Sequence, residues 1–161
     1  MTIRLPLPAA RPERLSVDAS RLPPDRPPLE QNALRDVRVL VVDDDPDACE
    51  LLTVTLERWG AVVIVARSAR EGFSLCKAAR PDVLVSDISM PDEDGYSLIR
   101  RVRRLQGSVR HVPAIALSAL VSDEHRAEAL TAGFDVHRSK PVQIPQLIRD
   151  IADLAGRRSA A

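Results

Sequence analysis

Six side chains in this sequence have the types and positions for joint chemistry. Asp43, Asp44 and Asp45 follow an apolar run at 37–42 that only Arg38 interrupts. Asp87 closes a second run at 83–85, after Ser86; Ser118 closes a third at 114–117; Lys140, ahead of Pro141, follows a short strand-like stretch at 135–138. Any single member has an ordinary explanation, because an Asp after a strand is usually a helix cap or a turn residue. Asp45 and Asp94 read that way. The group resists that explanation, since clustered carboxylates repel one another unless a cation or a lysine offsets them. A hard divalent ion such as Mg²⁺ takes oxygen ligands in an octahedron and keeps waters that a phosphate can replace. Two acids on one strand end and a third on its neighbour suit that ion. The chemistry that uses such a set is phosphoryl transfer to a carboxylate, with a lysine and a hydroxyl receiving the phosphoryl oxygens.

That chemistry requires the apolar runs to lie side by side. Asp45-Pro46 opens a first helix, with Ala48, Leu51, Leu52, Leu56 and Trp59 as its apolar stripe and Gly60 as its stop. A strand at 61–66 follows, then a helix capped by Ser68 that buries Gly72, Leu75, Cys76 and Ala79. After the strand at 83–85 comes an acidic loop, then a helix marked by Leu98, Ile99, Val102 and Leu105. The strand at 114–117 leads to a helix at 122–132, and the strand at 135–138 to a last helix from Pro145. Near-continuous apolar strands mean that helices cover both sheet faces. Five strand–helix units predict an α/β fold, a doubly wound open parallel sheet with right-handed crossovers. In such sheets functional groups gather at the carboxyl ends of the strands, where all six side chains lie.

The rest of the composition excludes more than it adds. The 161 residues allow one domain and a tail, and 23 basic residues balance 23 acidic ones. A neutral chain with only four aromatics is no general nucleic-acid binder and offers no stacking platform. Its apolar runs are too short to insert in a membrane, and Pro6 and Pro8 interrupt any secretion signal. Cys49 and Cys76 read as small buried hydrophobes in a reducing cytoplasm. Seven of the 13 prolines fall within residues 1–28, so 1–36 reads as a Pro-rich tail or linker. Within it, residues 1–8 alternate like an edge strand. The domain proper is placed at 37–156, with 157–161 a disordered end. His111 and His125 read as surface residues, and Arg100, Arg101, Arg103 and Arg104 as a solvated helix face.

Four blocks now carry a resemblance: VLVVDDDPD at 39–47, PDVLVSDISMPDEDG at 81–95, PAIALSA at 113–119 and SKPV at 139–142. In this order and spacing the chain resembles the receiver domain of two-component response regulators. The resemblance implies the flavodoxin-like strand order 2-1-3-4-5. It implies that Asp87 accepts the phosphoryl group, that Asp43, Asp44 and the Ser89 carbonyl join Asp87 around Mg²⁺, and that Lys140 binds the phosphoryl group. Ser118 matches the switch hydroxyl, and the Lys140-Pro141 peptide is expected to be cis. Met90-Pro91 and Asp94-Gly95 fit the turn after the acceptor, with Gly95 supplying permissive dihedrals.

Three positions depart from the family pattern. His137 occupies the place of the switch aromatic, with either a switching role or a plain strand role open to it. Val142 stands where Phe is frequent. Leu120 is apolar and, with Ser89, implies slow self-dephosphorylation.

The implied partners are a histidine kinase or a histidine phosphotransfer domain, a downstream protein target, and a second copy in a weak homodimer. Only seven residues follow Leu154, too few for a DNA-binding output domain. The segment AGFDVHRSKPV is most similar to receivers at the C-termini of hybrid histidine kinases, and MTIRLPLP to the last strand of a kinase ATP-binding domain. The activity expected is self-catalysed phosphorylation without turnover of a separate substrate. A receiver fold working purely as an interaction module is the alternative. A haloacid-dehalogenase-type phosphatase would need an Asp where Ser89 stands, and no G-x-G-x-x-G follows the first strand for a dinucleotide.

Overall fold

The computed structural model describes residues 32–119 and 122–160, with side chains through 156. The strand-like alternation at 1–8, the linker up to residue 31 and Leu120 lie outside the described residues. The elements run β1 (Arg38–Val42), α1 (Pro46–Arg58), β2 (Val62–Ala66), α2 (Ala69–Ala79), β3 (Val83–Asp87) and α3 (Gly95–Arg103). A 3₁₀ turn (Ser108–His111) precedes β4 (Ala114–Ser118), α4 (Asp123–Ala132), β5 (Val136–Ser139) and α5 (Ile144–Ala160). All pairings are parallel, as the sequence predicts, and the strand order is β2-β1-β3-β4-β5, as the resemblance implies.

Strand parity divides the core. Leu40, Val42, Leu84, Ala114 and Ala116 face α2, α3 and α4, meeting Cys76, Leu98, Ile99, Val102 and Ala129. Val39, Val41, Val83, Val85, Ile115 and Leu117 face α1 and α5, meeting Leu52, Leu56, Leu147, Ile148 and Ile151. The helix starts use the caps expected of them: Asp45 accepts from the Asp47 amide, Ser68 from Glu71 and Asp94 from Ser97.

Several boundaries and faces differ from the sequence reading. Residues 32–36 are not free linker: Leu34 is fully buried, its amide bonds the Trp59 carbonyl, and the Asp36 amide bonds the Gly60 carbonyl. The buried stripe of α1 is Cys49, Leu52 and Leu56, whereas Leu51 is 64% exposed. A run of three apolar positions fixes a helix only to within one residue of rotation, and packing on β1 chose the other solution. α3 ends at Arg103, ahead of Leu105, and α5 continues through Ala160, past the expected end at 156.

The arginine run is not a solvated face either. Arg101 bonds both carboxylate oxygens of Glu93 at 2.8 and 2.9 Å and lies 4.2 Å from the Phe73 ring centre. Arg103 donates to the carbonyls of Arg110 (2.7 Å), Val112 (2.6 Å) and Gly133 (3.0 and 2.8 Å). Burial pulls its pKa down, and Asp135 opposes that pull. It ties the end of α3 to the starts of β4 and β5. Arg100 and Arg104 are exposed, as read.

Candidate functional site

The register places the predicted residues at one edge. Val42 pairs with Ser86, Asp87 with Leu117, and Ser118 with Ser139, so β1, β3, β4 and β5 finish almost level. Beyond that line the chain needs polar residues, because helices no longer cover it.

Asp43, Asp44 and Asp87 each offer a carboxylate oxygen, and these oxygens lie within 4.8 Å of one another. Asp43 and Asp87 are buried, while Asp44 opens to solvent. Lys140 extends Nζ to 3.2 Å from Asp87 Oδ1 and 3.5 Å from Asp43 Oδ2. Burial pushes the Asp87 pKa up, and Lys140 pulls it back only in part. Burial lowers that of Lys140, but Asp87 and Asp43 more than offset it, so the lysine is held above its ordinary value. Two carboxylates thus share one ammonium in a site that a further cation would balance. The donors are all oxygen and hard, a set that fits Mg²⁺ better than a thiophilic metal.

The backbone around these groups is held closely. The Ile88 amide bonds the Leu117 carbonyl at 3.0 Å, and the Lys140 amide bonds the Ser118 carbonyl at 2.8 Å. The Lys140-Pro141 peptide is cis, as expected. Asp43 Oδ1 accepts the Asp45 amide at 2.9 Å, which orients that carboxylate while Asp45 itself caps α1. Gly95 is needed for a reason other than the one read from its sequence context. Its φ is not in the left-handed region, but a Cβ there would stand 2.6 Å from the Asp87 carbonyl oxygen. Its amide bonds the Ile88 carbonyl at 2.9 Å, drawing α3 against the acceptor loop.

The remaining predicted positions are nearby. Ser118 is fully buried at the end of β4, and Ser89 is exposed with its amide directed to the Asp87 carboxylate. His137 is half-buried on β5, opposite Ala116. Val142 packs partly buried against the α1 and α5 side of the core.

Two contributors escaped the sequence reading. The Cys49 thiol donates to the Asp43 carbonyl at 3.2 Å, and the Ser86 hydroxyl to the Asp87 carbonyl at 2.9 Å. Both support the backbone under a carboxylate. Cys49 reads as buried from the sequence, but nothing local signals that its thiol reaches the Asp43 carbonyl, and nothing local signals Ser86.

Comparison with known proteins agrees with this geometry. The family model of the response regulator receiver domain matches residues 39–152. An uncharacterized 14.6 kDa protein of Leptolyngbya boryana is 47% identical over 72% of this chain and 88% of its own length. Hybrid signal transduction histidine kinase D of Dictyostelium discoideum is 34% identical over 77% of this chain, which spans only 8% of that kinase. The receiver domain of the Francisella response regulator 1452 superposes with a TM-score of 0.72 at 34% identity, covering 76% of this chain and 99% of that one. Matched over most of its length and folded with the same strand order, the chain belongs to the response regulator receiver domain family of two-component signalling.

Proposed function

We propose that the domain accepts a phosphoryl group on Asp87 from a phosphohistidine of a histidine kinase or a phosphotransfer domain, and signals or relays it through protein contacts. The observation that carries this reading is Lys140 Nζ held 3.2 Å from Asp87 Oδ1, beside two further carboxylates. Asp43, Asp44, Asp87 and the Ser89 carbonyl would hold Mg²⁺. When bound, that ion supplies positive charge against the phosphoryl oxygens.

The chain's own groups do the rest. An Asp87 oxygen forms the new P–O bond as the donor's P–N bond breaks, and the bonding pair leaves with the imidazole nitrogen. Lys140 neutralises a phosphoryl oxygen, and the Ser118 hydroxyl donates to another. Raised by burial, Asp87 is a stronger nucleophile than a solvated carboxylate once ionised. The hybrid-kinase likeness supports a relay role, and the likeness to transcriptional regulators such as that of Mycobacterium tuberculosis, 37% identical, shows the same domain in another setting. The chain spans 47% of that regulator.

The test is intact-protein mass after incubation with acetyl phosphate and Mg²⁺, beside Asp87→Asn and a chelator control. One added phosphoryl group, absent from both controls, supports the reading. No adduct, together with no Mg²⁺ affinity, overturns it in favour of an interaction module that works without phosphorylation.

A further inference from the structure

His137 Nε2 is buried and has no hydrogen-bond partner among the described residues. Next to this ring, between the start of α4 and the end of β5, lies a cavity of about 230 Å³. Its walls are Ser122, Asp123, Arg126, His137, Arg138 and Ser139. The ring therefore sits with one nitrogen in a place that cannot satisfy it, beside a space that can.

We propose that His137 is a proton-operated latch between β5 and α4: neutral, the ring keeps Nε2 buried as seen here, and protonated, it turns into the cavity to meet Asp123.

The charges facing the ring fit this assignment. From α4 come Asp123, Arg126 and His125; from β5 comes Arg138; β4 presents Ala116, which carries none. α3 reaches the same corner through Tyr96, whose hydroxyl donates to the His125 carbonyl at 3.5 Å. Arg138 is already engaged, bonding both oxygens of Asp150 at 2.6 and 2.8 Å. Arg126 therefore remains the main repulsive charge and Asp123 the one carboxylate on the cavity wall. Burial, and then Arg126, His125 and Arg138, disfavour a proton on the ring where it now lies. A buried imidazolium without an acceptor is costly, whereas one in a polar cavity beside a carboxylate is not. Protonation and rotation are coupled for that reason. The latch does not depend on phosphoryl transfer, so it can be tested on the unphosphorylated chain.

The experiment is an NMR pH titration of the full chain without metal, following the His137 ring, its χ1 couplings and the backbone amides. The expected result is one midpoint shared by ring protonation, a change of χ1 and shifts at 122–126 and 136–139. Asp123→Asn should lower that midpoint and Arg126→Gln should raise it. In His137→Phe the pH-dependent amide shifts at 136–139 should vanish, which separates them from titration of His125 and of the acidic cluster. Protonation with χ1 unchanged, or a midpoint indifferent to both charge variants, would overturn the latch.

Discussion

Lys140 and Asp87 meet across the end of the sheet, Nζ to Oδ1 at 3.2 Å, because the Lys140 amide is pinned to the Ser118 carbonyl while Asp87 pairs with Leu117. The same ammonium reaches Asp43, a residue 2% exposed. Replacing Lys140 with Met leaves two buried carboxylates without their cation. We expect a loss of roughly 2 kcal/mol at neutral pH in urea unfolding, below the cost for a wholly buried pair because Lys140 is partly solvated.

The pH dependence of that loss has a definite sign. Asp87 is raised in the fold, so its contribution is fully present below the unfolded carboxylate value and is lost as pH rises through the folded one. Without Lys140 its pKa rises further, and the variant's deficit should grow from about pH 4 to pH 7. Lys140 is also raised, so its own contribution holds below 10.5 and falls only as pH passes its folded value. Unfolding curves at several pH values check this; a deficit that shrinks toward neutrality would contradict it.

Metal should act on the same charges. Saturating Mg²⁺ should raise the Tm of the parent chain by mass action, and Asp44→Asn should reduce the effect. Asp44 is exposed, so its replacement costs little stability by itself, and thermal scans with and without the ion isolate the binding term.

Gly95→Ala should injure the site from behind. The new Cβ would stand 2.6 Å from the Asp87 carbonyl and 2.9 Å from Ile88 Cα, both backbone atoms that cannot rotate away. About 1–3 kcal/mol of destabilisation is expected, with a weaker Mg²⁺-induced Tm shift. By contrast, Gly156→Ala meets nothing within 4 Å and serves as the control.

Arg103→Lys should be far from conservative. The guanidinium satisfies three carbonyls on two segments, and an ammonium cannot fan out to all of them. We expect a loss of about 1–3 kcal/mol, with faster amide exchange at the 3₁₀ turn and at 133–136.

Leu34→Ala tests where the domain begins. Leu34 is fully buried in the core beneath α1 and α5, and truncating such a leucine costs about 2–5 kcal/mol. A change within experimental error would mean that the turn at 32–36 is an attachment without structural weight.

The sequence was most legible where one requirement had one solution. Asp45-Pro46 and Ser68 are helix starts because only a side-chain acceptor satisfies the free amides there, and both cap as read, while Asp94, read as a cap or a turn residue, is a cap. The α1 face was less legible: Ala48-Leu51-Leu52 and Cys49-Leu52-Leu56 are both apolar stripes, and only contact with β1 distinguishes them. Leu34 was hidden by its setting, since one leucine after a Pro-rich stretch has no period to announce it.

By itself, then, the amino-acid sequence determined the parallel α/β architecture, the helix caps and the list of acids and cations at the strand ends, because these follow from local pattern and from the handedness of β-α-β crossovers, while the strand order came with the family resemblance. Tertiary structure alone decided what those groups meet. Arg103 looks like its solvated neighbours until three carbonyls converge on it. Gly95 looks like a turn residue until the backbone of Asp87 closes over it. His137 looks like an ordinary strand residue until its Nε2 is found buried without a partner among the described residues. Each depends on atoms brought together from distant segments, and distance along a chain carries no information about distance in space until the core has packed.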